Sequence, residues 1–220
     1  MIHVLVCDDH HIVRQGIKQI LADACDIVLA GEAENGPEAV RLVRCAAANG
    51  RAIDVVLMDI AMPQRDGLDV LRQLKREFAK MPVLMLSTYP DKQYAVRSLK
   101  LGAAGYLNKS ADSEQMIGAI RRVAGGGLFI TPTVAEQLAT SIGAGHAQAH
   151  DKPLHERLSH REYQVFRLLS VGHSVGEIAD QLSLSSNTVS TYRARILEKT
   201  GARNDVELAL YAVRSELMPA

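Results

Sequence analysis

Asp8-Asp9, Asp59, Ser87 and Lys109 each close a short apolar run, namely His3 to Cys7, Asp54 to Met58, Pro82 to Leu86 and Gly105 to Asn108. Carboxylates brought together repel one another unless a cation sits among them. Hard oxygen donors at a half-open site suit Mg²⁺, which keeps waters and shares its shell with phosphate. A carboxylate in that setting can attack a phosphoryl group and become an aspartyl phosphate. Such a transfer needs mainly alignment and positive charge near the equatorial oxygens, which Lys109 and the metal would supply. The Ser87 hydroxyl can donate to a phosphate oxygen. Tyr106, three residues before Lys109, is close enough to report that bond, and it reads equally well as plain core.

This chemistry requires the four run ends to meet. Val55-Val56-Leu57-Met58 lacks helical spacing and reads as a strand buried on both faces, as in a parallel sheet covered by helices. Strand-like and helix-like segments alternate from residue 1 to about 125. His11 to Ala24, with Ile12, Ile17, Ile20 and Leu21 at roughly helical spacing, follows the first run, and Ile27 to Ala30 is the second strand. Pro37 opens a helix to about Ala48, and helices at Leu68 to Phe78, Asp91 to Leu101 and Ser113 to Val123 follow the remaining strands. Five such pairs predict a doubly wound five-stranded parallel sheet with right-handed crossovers, an α/β fold. Ligands of such sheets bind beyond the carboxyl ends of the strands, where these residues stand.

The 220 residues suffice for two ordinary domains, and 47% hydrophobic content suffices for a core. No run approaches eighteen apolar residues and no basic region precedes an apolar leader, so a cytoplasmic protein without membrane contact is expected. Cys7, Cys25 and Cys45 lack C-x-x-C spacing and read as buried reduced thiols. Residues 126–153 look like a linker, with a possible helix over 133–141; the tether residues His146, His150 and His155 predict no zinc site. Beyond Leu154 four short helices are predicted: Arg161 to Leu169, Val175 to Leu182, Asn187 to Lys199 and Val206 to Val213.

In this all-α unit, residues 154–220, Ser159 and Glu162 form a capping box, Ser183-Leu184-Ser185 a tight turn, and Ser185 a second cap. Val189, Tyr192 or Arg193, Ile196 and Thr200 face inward, leaving Ser190, Thr191 and Ala194 outward. Two short helices joined by a turn, the second with small polar residues outward and arginines on its flanks, form a helix-turn-helix whose recognition helix can sit deep in a major groove. The net charge is zero, and residues 151–220 carry nine Lys/Arg against nine Asp/Glu. Any affinity for DNA therefore rests on the local basic face of Arg193, Arg195, Lys199 and Arg203, which in isolation reads equally as a solvated helix face.

Asp8-Asp9, Asp59-Ile60-Ala61-Met62-Pro63, Ser87 and Lys109, with Gly67 and Gly102-Ala103, resemble the receiver domain of two-component response regulators over about 120 residues. Glu162, Gly172, Glu177-Ile178-Ala179, Thr188-Val189, Ile196 and Lys199 resemble the LuxR-type module that ends the NarL/FixJ subfamily. The resemblance implies a flavodoxin-like receiver over 1–125 and a helix-turn-helix domain over 154–220. It makes Asp59 the phosphoacceptor, with Mg²⁺ held by Asp9, Asp59 and the Ala61 carbonyl and by Asp8 through water. Ser87, Tyr106 and Lys109 bind the phosphate and switch. A sensor histidine kinase donates the phosphoryl group, and a homodimer binds double-stranded DNA. Ser190, Thr191 and Ala194 approach base edges while Thr188, Arg193, Arg195 and Lys199 contact phosphates. Where many receivers have proline after the lysine, this chain has Ser110.

Each feature has a plainer reading. An isolated Asp8-Asp9 would more often cap the following helix. His10 and His11 read as polar surface at a helix start rather than metal ligands. An aspartate-dependent phosphatase shares the Asp, Ser, Lys and Mg²⁺ set but needs an acid two residues after its nucleophile. That position is Ala61, so the expectation is a switch that loses its phosphate slowly, not an enzyme turning over external substrates. A DNA-binding protein without phosphate control is the third reading, and the complete acidic set speaks against it.

Overall fold

The computed structural model describes residues 1–62, 65–87, 92–132, 134–136, 138, 158–182 and 184–215. Pro63, Thr88, Ser183, most of the 133–141 segment and the linker histidines lie outside these residues. The chain divides into two compact units, Met1–Ala144 and Gly145–Ala220.

The first unit alternates β1 (Ile2–Cys7), α1 (His11–Ala22), β2 (Ile27–Ala33), α2 (Gly36–Ala48), β3 (Val55–Asp59), α3 (Gly67–Glu77), β4 (Val83–Ser87), α4 (Lys92–Lys100), β5 (Gly105–Asn108) and α5 (Ser113–Ala124). The strands pair in parallel in the order β2-β1-β3-β4-β5. β3 and β4 are buried at every position, because α1 and α5 pack on one face and α2 and α3 on the other. Val4, Val6, Val55, Leu57, Leu84 and Leu86 meet Ile17, Leu21, Met116, Ile120 and Val123 in the core under α1 and α5.

Two expectations about this unit change. Ile12, counted among the helically spaced apolar positions, is 85% exposed, and Arg14 joins Ile17 and Leu21 on the buried face. Residues 14, 17 and 21 hold the 3-and-4 spacing of a helix stripe, and Ile12 lies off it. Cys7 is buried, but Cys25 and Cys45 are exposed, in the turn after α1 and on the outer side of α2. All three thiols are free.

The segment expected to begin the linker stays with the sheet. Phe129 forms a parallel bridge to Gly105, donating to Ala104 O at 2.9 Å and accepting from Tyr106 N. A Cβ on Gly105 would stand 2.7 Å from Phe129 O and 2.8 Å from Leu84 Cδ1, so this docking depends on glycine.

In the second unit α6 (His160–Ser170), α7 (Val175–Gln181), α8 (Ser186–Thr200) and α9 (Asp205–Arg214) surround Phe166, which is fully buried against Tyr163 and Tyr211. Ser159 and Glu162 form the expected capping box, and Ser174 with Glu177 forms a second at α7. Val189, Ile196 and Thr200 are the buried side of α8.

Glu162 is 3% exposed and binds Lys199 Nζ with both oxygens, at 2.8 and 2.6 Å, joining α6 to α8. Burial alone would raise its pKa, yet Lys199 and the Ser159 N–H and hydroxyl lower it below the ordinary value. A carboxylate depressed in the folded state contributes stability above its unfolded pKa and loses it as pH falls through the folded one. Glu162→Gln therefore lowers the melting temperature at pH 7, and its deficit against the parent shrinks below about pH 4.3. A deficit constant from pH 7 to pH 3 would refute this.

Gly67 begins α3 where the chain folds back on the end of β3. A Cβ there would stand 2.0 Å from the Asp59 carbonyl oxygen, which cannot yield without moving the strand end. Gly67→Ala should cost about 1–3 kcal/mol of unfolding free energy, read from the urea midpoint. Gly16→Ala, on the exposed face of α1 with nothing within 4 Å, should instead be neutral or add about 0.5–1 kcal/mol.

Candidate functional site

The sheet reverses direction between β1 and β3: the first crossover leads outward to β2, and the second returns past β1 to the other side. The crevice beyond the carboxyl ends of two such strands is where doubly wound folds hold ligands. Asp8 follows β1 and Asp59 ends β3, and they are 0% and 1% exposed. Lys109 reaches them from the loop after β5. Its backbone N–H donates to Ser87 O at 2.8 Å, and its ammonium lies 2.6 Å from Asp8 Oδ2 and 2.9 Å from Asp59 Oδ1.

The Asp59 carboxylate also accepts from the Ala61 N–H. Its Oδ2 is buried and has no hydrogen-bond donor among the described residues. Asp9 Oδ1, likewise buried, lies 2.9 Å from His10 Nδ1, with no hydrogen bond directed at it among the described residues. One donor atom each from Asp8, Asp9, His10 and Asp59 fall within 4.8 Å of one another. His10, expected as polar surface, thus borders the acidic cluster, its ring 64% exposed.

Burial pushes the Asp59 carboxyl up to about 6; Lys109 opposes this and Asp8 adds to it. Burial disfavours the Lys109 ammonium, but Asp59 and Asp8 outweigh it and hold its pKa above the ordinary value. Cys7, against Met62 at 3.3 Å, is raised by burial and by Asp59 and Asp8, which leaves a neutral thiol rather than a nucleophile. Buried carboxylate oxygens without donors among the described residues, on an acidic cluster that one lysine reaches, fit a hard divalent cation.

Ser87 is the last residue of β4, buried and in register with Asn108. Tyr106 is buried in β5, opposite Met85. Ser110 follows Lys109 through a trans peptide, its N–H and hydroxyl both donating to Asn108 Oδ1.

On α8, Ser190, Thr191, Ala194 and Arg195 are exposed and Thr188 is half-buried, while the Thr191 hydroxyl donates to Asn187 O. Arg193 is tied to Asp205 at 2.8 Å and Lys199 to Glu162, whereas Arg195 has no ion pair among the described residues. Sequence spacing revealed neither pair, because both partners come from other helices. No helix among the described residues is long and apolar enough to cross a membrane.

Comparison with known proteins bears on both units. Residues 4–121 match the response regulator receiver domain, and residues 156–212 match the bacterial regulatory proteins of the luxR family. The response regulator GacA of Pseudomonas aeruginosa is 41% identical over 220 residues, spanning 100% of this chain and 99% of that protein. UvrY of Escherichia coli K12 is 38% identical, spanning 100% of this chain and 97% of its own length. The response regulator RcsB in complex with DNA aligns with a TM-score of 0.55 at 26% identity, covering 96% of this chain and 98% of that one. Whole-length identity at this level, with both domains in the same order, places the chain in a family: it belongs to the two-component response regulators of the NarL/FixJ type, transcription regulators in which a receiver domain precedes a LuxR-type helix-turn-helix domain.

Proposed function

We propose that Asp59 is the phosphoacceptor and that its modification by a sensor histidine kinase switches dimerisation and DNA binding. The observation that carries this is Asp59 Oδ2: a buried carboxylate oxygen with no donor among the described residues, on a side chain whose other oxygen is held by Lys109. As the O–P bond forms, the P–N bond to the kinase histidine breaks and the imidazole leaves with its electron pair, taking up a proton. Lys109 keeps the attacking side chain oriented and stands ready beside the incoming negative charge. Asp8, Asp9, Asp59 and the Ala61 carbonyl would hold Mg²⁺, which when bound neutralises charge on the transferring phosphoryl oxygens.

The phosphoryl group adds about two negative charges, enough to shift a balanced conformational equilibrium by a few kcal/mol. Ser87 donates to the new phosphate and Tyr106 follows it. The altered receiver surface then favours a homodimer, and the acyl phosphate is slowly lost to water. Two recognition helices in the dimer reach half-sites about one helical turn apart, in the cytoplasm where the DNA lies. Ser190, Thr191 and Ala194 face base edges; Thr188 and Arg195 contact phosphates, as do Arg193 and Lys199 so far as their carboxylate partners allow.

Incubation with a small phosphodonor and Mg²⁺ should add one phosphoryl group by intact mass, and chelation of the metal should suppress it. Labelling that persists in Asp59→Asn would refute the assignment. In duplex binding, Arg195→Ala should weaken every sequence alike and lower the salt slope by about 1. Thr191→Ala should instead change discrimination between sequences, by about 1–3 kcal/mol at the affected base pair. Uniform loss from both substitutions would contradict the division of roles.

A further inference from the structure

Arg14 is a charged side chain that the phosphorylation chemistry does not use, yet it is 4% exposed. It springs from α1, the helix behind the acidic pair. Its Nη1 donates to the Asp8 carbonyl oxygen at 2.8 Å, its Nη2 donates to Glu34, and its Nε lies 3.7 Å from Glu32 Oε2. Glu32 ends near the close of β2 and Glu34 follows that strand, so one guanidinium ties three chain segments at the rim of the crevice.

We infer that Arg14 is a positioning residue for the cation site, acting on Asp9 through the peptide it holds. The inference rests on the reading of Asp8, Asp9 and Asp59 as that site. The Asp8 carbonyl and the N and Cα of Asp9 lie in one rigid plane, so a hydrogen bond to that carbonyl limits where the Asp9 side chain can start. Residues 8–10 belong to neither β1 nor α1, and regular backbone pairing does not set this peptide's tilt. Asp8 is anchored separately, by its N–H to Ala33 O at 3.1 Å and its carboxylate to the His10 N–H and Lys109. A buried ion pair adds little stability over an apolar side chain of similar volume, so stability alone does not account for a guanidinium here. A strand-end carbonyl aimed by a planar fork of donors does.

The test is Mg²⁺ binding to the full chain by calorimetry, without any phosphodonor. Arg14→Met should weaken the affinity on the order of tenfold, as loss of a residue that orients metal ligands does. With a small phosphodonor, half-saturating Mg²⁺ should rise by the same factor while the rate at saturating Mg²⁺ stays within about twofold of the parent. Arg14→Lys, which keeps the charge but not the fork, should shift affinity in the same direction, and it serves if the methionine variant fails to fold. Variants that melt lower yet bind Mg²⁺ as tightly as the parent would overturn the positioning role. A parent chain that binds no Mg²⁺ would overturn the cation-site reading and this inference together.

Discussion

Everything at the carboxyl edge of the sheet depends on the Lys109 ammonium between Asp8 and Asp59. Two acids taken from water into so small a volume pay desolvation and mutual repulsion together, and the raised carboxyl of Asp59 records both. The lysine answers part of that cost and leaves Asp59 Oδ2 without a donor among the described residues. The pocket is therefore stable enough to form and still short of positive charge. That remaining deficit makes its hard oxygen donors a fit for a divalent cation.

The rest of the first unit can be understood as what this contact requires. Three strand ends must stop at the same height, which the parallel pairing in the order β2-β1-β3-β4-β5 provides. The loop after Asp59 must turn immediately, and Gly67 permits it to pack on the Asp59 carbonyl where no side chain fits. Lys109 is brought in by its own N–H on Ser87 O, so the residue that would sense a phosphate and the residue that would pair with it share one backbone link.

The second unit uses charge for a different purpose. Its helix α8 buries few residues, and Glu162 and Asp205 hold it to its neighbours through Lys199 and Arg193. Such pairs hold a helix in one orientation, because misplacing either partner leaves a partly buried charge uncompensated. They also take up the charge of Arg193 and Lys199, leaving Arg195 as the exposed cation of that helix without an ion pair among the described residues.

Fold class, the order of elements and the acidic pocket were legible in the chain alone. Apolar periods of two and 3.6 residues are local, and in a parallel sheet every strand end falls on the same edge, so Asp8, Asp59, Ser87 and Lys109 could be gathered without coordinates. The caps of α6 and α8 were legible too, since Ser159, Glu162 and Ser185 act within one turn. What the chain alone did not reveal depends on contacts between segments far apart. Arg14 turned inward to reach Asp8 and Glu34 while Ile12 turned out, Cys25 and Cys45 reached the surface, and Phe129 docked on Gly105 inside a stretch that reads as linker. Lys199 and Arg193 found their carboxylates 37 and 12 residues away. Local patterning sets which face a residue can take, but the partner that holds a charge there is chosen only when separate helices and strands pack, because Coulomb attraction and desolvation depend on distance in space rather than along the chain.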